Sequence, residues 1–296
     1  MIVANLIGGL GNQLFQYACA RASSLSNGQE CKLFLADFGN YRLHNGFCLD
    51  TVFNMEIDIA EMESMRELVG WRANSLARKL LRHSALRLLR GKNFIVDQED
   101  TLEFQLLKSL PAKGAYLVGY WQSEFYFAQY AEKIREDLEW RQPLKEKNSE
   151  IAGLILDTRS ASIHVRRGDY LNNPKALAMH GVCSVDYYQR GIEALENDGR
   201  DRTWFLFSDD PAWAREKIAP LIHGDVHTVD FNKGEDSHFD MQLMSLCDDH
   251  IIANSSFSWW GAWLSVKLNK RVIAPKNWFA GREDTPARCP SSWQRL

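Results

Sequence analysis

The sequence predicts an α/β protein of two halves facing across a cleft, on three observations. Short apolar runs alternate with stretches of helical period along most of the chain, the pattern of parallel sheets covered by helices on both faces. A polar, proline-containing break at Arg141-Gln142-Pro143-Leu144-Lys145 divides the 296 residues into 1–143 and 144–296. A 45% hydrophobic content is enough to fill a core in each half.

Taken in order, Ile2 to Ile7 reads as a strand, and Gly8-Gly9-Leu10-Gly11 turns it into a helix from Asn12 to Leu25. Lys32 to Ala36 and Tyr116 to Tyr120 are further strands on either side of a charged, irregular middle. The second half is more regular. Glu150 to Asp157 reads as helix, Ser162 to Val165 as strand, Val185 to Leu195 as helix, Thr203 to Phe207 as strand and Pro211 to Ile218 as helix. Val226 to Val229, Ile251 to Ala253 and Val272 to Ala274 supply three more strands, with helices at Met241 to Leu246 and Trp259 to Leu268. The tail from Pro275 onward, rich in Pro, Arg and Trp, is expected to pack back on the first half.

A net charge of −3 provides no general field for nucleic acid, so any anion site is local. Six cysteines without a C-x-x-C pair argue against a zinc or thioredoxin-like centre and read as free thiols. Met1 to Leu6 is already strand-like, with no signal-peptide pattern, and no apolar run reaches the ~20 residues of a membrane span. The expected location is the cytoplasm.

Ile163-His164-Val165-Arg166-Arg167-Gly168-Asp169-Tyr170 carries the most chemistry. Charged residues emerge at the carboxyl end of a strand, where open α/β sheets bind ligands. A guanidinium there forks two donors onto phosphate oxygens and keeps its charge as the phosphate departs. The octapeptide resembles the His-x-Arg-Arg-Gly-Asp motif of fucosyltransferases that use GDP-fucose. Gly8-Gly9-Leu10-Gly11-Asn12-Gln13-Leu14-Phe15-Gln16-Tyr17-Ala18 and Asn254-Ser255-Ser256-Phe257-Ser258-Trp259-Trp260-Gly261-Ala262-Trp263-Leu264 resemble the bacterial α-1,2-fucosyltransferases, glycosyltransferase family eleven, nearly end to end.

That resemblance implies the GT-B arrangement of two Rossmann-like domains, with the C-terminal one holding GDP-fucose and the N-terminal one facing a galactose-terminated acceptor. It further implies inverting transfer of L-fucose to a 2-hydroxyl. Carried over residue by residue, it gives Asp240 and His164 to guanine, and Arg166 and Ser256 to the β-phosphate, with Arg167 and Ser255 beside them. An ordinary helix N-cap is the alternative for Asp240. No Asp-x-Asp sequence is present to chelate a nucleotide-bound metal, so neither metal nor cofactor is expected. The rival readings are another GDP-sugar transferase, α-1,6 or protein-directed, and a non-catalytic nucleotide- or glycan-binding protein.

The glycine loop fails the full G-x-G-x-x-G test, since Leu14 stands at the third glycine. It still offers Gly9, Gly11, Asn12 and Gln13 to an anion; the alternative is a tight turn whose Asn12 caps the helix. Ser208, Asp209 or Asp210 is expected to cap the helix that Pro211 begins. Trp263 reads as packing, and Trp259 and Trp260 are left undecided. Asp37 and Asp169 are the candidates for a general base, and an Arg167–Asp169 ion pair is expected to orient Arg166. From Arg72 to Lys92 seven basic residues and no acidic ones are interleaved with leucines, which reads as one basic amphipathic helix. Two readings stand for it: peripheral contact with an anionic membrane surface, or a helix packed on the acceptor domain with solvated charges.

Overall fold

The computed structural model describes residues 1–40, 46–97, 107, 109–171, 173–281 and 284–296, with side chains left undescribed at 40, 169, 170 and 176. The chain divides into Met1–Arg141 and Gln142–Leu296.

The first unit is a parallel four-stranded sheet in the order β2-β1-β4-β3, from β1 (Ile2–Asn5), β2 (Cys31–Phe34), β3 (Phe94–Val96) and β4 (Ala115–Val118). β1 and β4 are buried along their whole length, as the central strands of a covered sheet must be. Gly8 adopts φ +97°, left-handed backbone that suits a residue without Cβ, and so turns the chain from β1 into the helix Leu10–Asn27.

The second unit is a parallel six-stranded sheet, β10-β9-β8-β5-β6-β7: β5 (Ser160–Val165), β6 (Thr203–Ser208), β7 (Val226–Val229), β8 (Asp249–Ile251), β9 (Val272–Ala274) and β10 (Gln294–Arg295). Side chains alternate across it with period two. Ala161, Ile163, Val165, Trp204 and Leu206 face one core, with Tyr187, Tyr188, Ile192 and Leu195 of the helix Val185–Glu196. Phe205 and Phe207 face the other, with Ile155 of the helix Glu146–Asp157 and Leu243 and Met244 of the helix His238–Leu246.

The tail from Pro275 adds a strand to the second sheet: β10 pairs with β9, and Trp293 packs on Trp259 at 5.3 Å. One expectation changes. The basic stretch is not one helix. It breaks into a 3-10 turn Gly70–Ala73, the helix Ser75–Leu80 and a 3-10 segment Ser84–Leu89. Asn74 starts the helix afresh, its Oδ1 accepting from Leu76 N at 3.0 Å. Arg90, buried, closes the segment by donating to the carbonyls of Leu81 (2.8 Å), Arg82 (3.1 Å) and His83 (3.2 Å). Two arginines read as solvated charge, Arg78 and Arg90, are internal fasteners.

Candidate functional site

In the second sheet the chain lays β6 and β7 on one side of β5, then returns to place β8, β9 and β10 on the other. The order reverses between β5 and β8, and the crevice outside the carboxyl ends of such a pair is where open α/β sheets take ligands.

His164, the penultimate residue of β5, lies on the face opposite Ile163 and Val165 and is buried. Burial, and then the charge of Arg166, lowers its pKa to about 3, so the imidazole is neutral. Its Nδ1 is buried with no hydrogen-bond partner among the described residues. Such an atom costs on the order of 1–3 kcal/mol, which a ligand bonding to it offsets. The ring lies 5.9 Å from that of Phe257, which ties the first turn of the helix Ser256–Leu264 to the end of β5.

Arg166 is held by Asp209 at the end of β6, Nε to Oδ2, at 3.3 Å. Burial opposes ionisation of Asp209, yet the Arg166 guanidinium and the backbone N–H groups of Arg167 and Gly168 keep its carboxyl below the usual range. At Gly168 a Cβ would come within 3.1 Å of the Asp209 carbonyl oxygen, so the missing side chain lets the two turns close up. The expected Arg167–Asp169 pairing falls on a side chain outside the described residues, and the contacts described for Arg167 are others. Arg167 Nε donates to Asp210 Oδ2 at 3.1 Å, and its guanidinium covers the Trp213 ring at 4.1 Å. Asp210 also caps the helix Pro211–Lys217 through Trp213 N at 3.3 Å. The Asp169 side chain lies outside the described residues.

On the β8 side, Ser255 caps the helix Ser256–Leu264, its Oγ accepting from Phe257 N at 3.3 Å, and Ser256 is the first residue of that helix. The N-terminal N–H groups and dipole of this helix favour an anion, and through Phe257 its first turn lies against His164. Trp259, Trp260 and Trp263 are all buried, so the whole tryptophan stripe is packing.

Asp240 is the third residue of the helix His238–Leu246, not its cap. Asn232, just beyond β7, donates to Asp240 Oδ1 at 2.7 Å, and Asn232 and Asn148 exchange amide hydrogen bonds at 2.8 and 2.9 Å. Burial raises the Asp240 pKa to about 7; the Asn232 bond pulls it down and nearby Asp230 pushes it up. Two positions along, Gln242 Oε1 is buried without a partner among the described residues. Asp240 thus belongs to a group at the β7 exit, and its helix shares the apolar cluster on which Phe257 packs. The sequence reading took Asp209 only for a candidate helix cap and missed Asn232 and Asn148, because each acts through a partner distant in the chain.

The glycine-loop residues are engaged within their own unit. Gly9 stands at the helix N-cap and Gly11 is buried in the helix. Asn12 Oδ1 accepts from Gln122 Nε2 at 2.8 Å rather than capping. Gln13 is fully buried; its Nε2 donates to the carbonyls of Gly8 (2.9 Å) and Gly46 (2.7 Å), and its Oε1 accepts from Cys48 N (3.1 Å). Asp37, a candidate base, lies between two arginines. It pairs with Arg78 at 3.3 Å and Arg82 at 2.5 Å; burial acts against its ionisation, but Arg82 and Arg78 hold its pKa below normal. A carboxylate between two guanidiniums is a poor proton acceptor.

Comparison with known proteins agrees with this geometry. The chain is similar to an α-1,2-colitosyltransferase of Escherichia coli, 37% identical over 100% of this chain and 99% of that one. It is 32% identical to the O-antigen biosynthesis glycosyltransferase WbnK of Escherichia coli, over 98% and 99% of the two chains. In fold it resembles the NodZ α-1,6-fucosyltransferase soaked with GDP-fucose, a Bradyrhizobium protein, with 15% identity, a TM-score of 0.53 and 89% and 91% of the two chains covered. The fold is therefore of the expected GT-B class. The model of Glycosyl transferase family 11 matches residues 1–293, and the chain belongs to that family of glycosyltransferases.

Proposed function

We propose that the chain transfers L-fucose from GDP-β-L-fucose to the 2-hydroxyl of a terminal galactose on an oligosaccharide or glycan precursor, with inversion at the anomeric carbon. The observation that carries this reading is the gathering of His164, Arg166 and the Ser256 turn at the strand-order reversal of the second sheet. As the sugar becomes oxocarbenium-like, negative charge builds on the β-phosphate. Arg166, Ser256 and the helix N-terminus stabilise that charge, typically by about 3 kcal/mol for each well-aimed donor. Asp240 accepts from guanine N1–H and the exocyclic amine together, a donor pair that neither adenine nor uracil presents. The base is thereby selected by two hydrogen bonds to one carboxylate.

Permanent arginine charge supplies the neutralisation that a divalent ion gives elsewhere, so we expect turnover in excess EDTA; loss of turnover there, restored by Mg²⁺ or Mn²⁺, would remove the metal-independent reading. A second donor has specific support. The relative with 37% identity is named for colitose, which is L-fucose without its 3-hydroxyl. The deciding assay offers GDP-fucose and GDP-colitose separately with a panel of galactose-terminated glycans, followed by linkage analysis. An α-1,2-fucoside supports the first reading, turnover of GDP-colitose alone replaces it with the second, and another linkage rejects both.

A further inference from the structure

The segment 71–92 presents, on the first unit, exposed side chains to which the proposed reaction assigns no role. Trp71, Leu76, Leu80, Leu88 and Leu89 are exposed, Leu88 by 89% and Leu76 by 64%. Monomeric proteins seldom leave such side chains together in water without an interaction to serve. They are held together here. Arg72 lies over the Trp71 ring at 5.0 Å and donates to the Leu89 carbonyl at 2.5 Å, and Arg90 fastens the far end to Leu81, Arg82 and His83. Leu76 and Leu80 sit one helical turn apart in Ser75–Leu80. The same segment exposes Lys79, Arg87 and Lys92, and it contains no acidic residue.

We infer that this face docks the protein on an anionic phospholipid bilayer, the leucines and Trp71 entering the headgroup boundary and the lysines and arginine meeting lipid phosphates. Charge argues for a bilayer over a second copy of the chain, because a two-fold contact would set this basic face against itself. The inference does not rest on which sugar is transferred.

The test uses the full chain and sedimentation with vesicles of phosphatidylcholine alone or of equimolar phosphatidylcholine and phosphatidylglycerol. Binding is expected to the anionic vesicles and to weaken with salt. A triple variant, Lys79→Gln, Arg87→Gln and Lys92→Gln, should lose roughly a hundredfold in vesicle affinity, and Leu88→Ser with Leu89→Ser should also release the protein. All five positions are exposed, so turnover of a soluble acceptor is expected to persist and reports that the variants are folded. Equal binding to neutral vesicles, no binding to either, or variants that sediment like the parent would overturn the inference. So would a concentration-dependent dimer that the leucine variants abolish, which would assign the face to self-association.

Discussion

Both sheets reverse their strand order, and both place a polar strand-to-helix turn at the reversal: Gly8–Asn12 after β1, Arg166–Gly168 and Asn254–Ser256 after β5 and β8. The first turn is closed by its own protein. The Gln13 side chain bonds Gly8, Gly46 and Cys48, and Asn12 is taken by Gln122. The second keeps His164 Nδ1 buried without a partner among the described residues, and in the same unit burial raises the Asp240 pKa to about 7. Equivalent positions in two sheets thus differ in whether their buried polar atoms are satisfied from within. That separates a turn held by its own side chains from one that the proposed function gives to the donor.

Four substitutions break or sharpen this contrast. Arg166→Ala should lower kcat with GDP-fucose by about 10²–10³-fold, the usual loss on removing one charge-stabilising donor; near-parental turnover would strip Arg166 of its leaving-group role. Asp240→Asn should abolish the preference for GDP over UDP, at a cost in GDP affinity of about 2–3 kcal/mol by calorimetry, since an amide cannot accept both guanine donors. In the parent, GDP affinity should rise as pH increases through about 7, because only the ionised Asp240 accepts both donors; below that pH, binding must expel a proton. A flat profile from pH 6 to 8 would refute the assignment of guanine to Asp240.

On the other side of the comparison, Gln13→Ala should leave GDP affinity unchanged and destabilise the fold by about 2 kcal/mol in chemical denaturation, through the polar groups it strands. Weakened donor binding without loss of stability would return the glycine loop to the site. The smallest effect is expected from Asn232→Ala. Removing its hydrogen bond should raise the pH midpoint of GDP binding and weaken affinity about tenfold, because that bond favours the ionised carboxylate. An unshifted midpoint would limit Asn232 to a structural role.

How much of this could be read beforehand depended on how local the physics was. β5 and β6 were legible because period-two alternation is written in consecutive residues, and Arg166 because strand, turn and charge adjoin. β8 was placed two residues late, at Ile251 to Ala253, since its opening Asp249-His250 looks unlike buried strand. Those side chains enter the core because Arg202 neutralises Asp249 at 2.8 Å and Ser162 bonds the His250 ring at 2.8 Å. β3 and β10 were missed as short edge strands whose pattern is too brief to show a period. The basic segment misled for the opposite reason: its charge pattern looked like one continuous helix. Nothing local announces that Arg78 turns inward to Asp37 and Arg90 to three carbonyls.

The ion cluster around Asp249 has a practical corollary. Arg159 at 3.1 Å, Arg202 at 2.8 Å and the Arg271 N–H at 2.8 Å clamp the starts of three strands, at the end of the sheet remote from the arginine turn. Anyone retuning donor choice can therefore regraft the loops after β5, β7 and β8 onto an unaltered chassis, provided that carboxylate is left untouched.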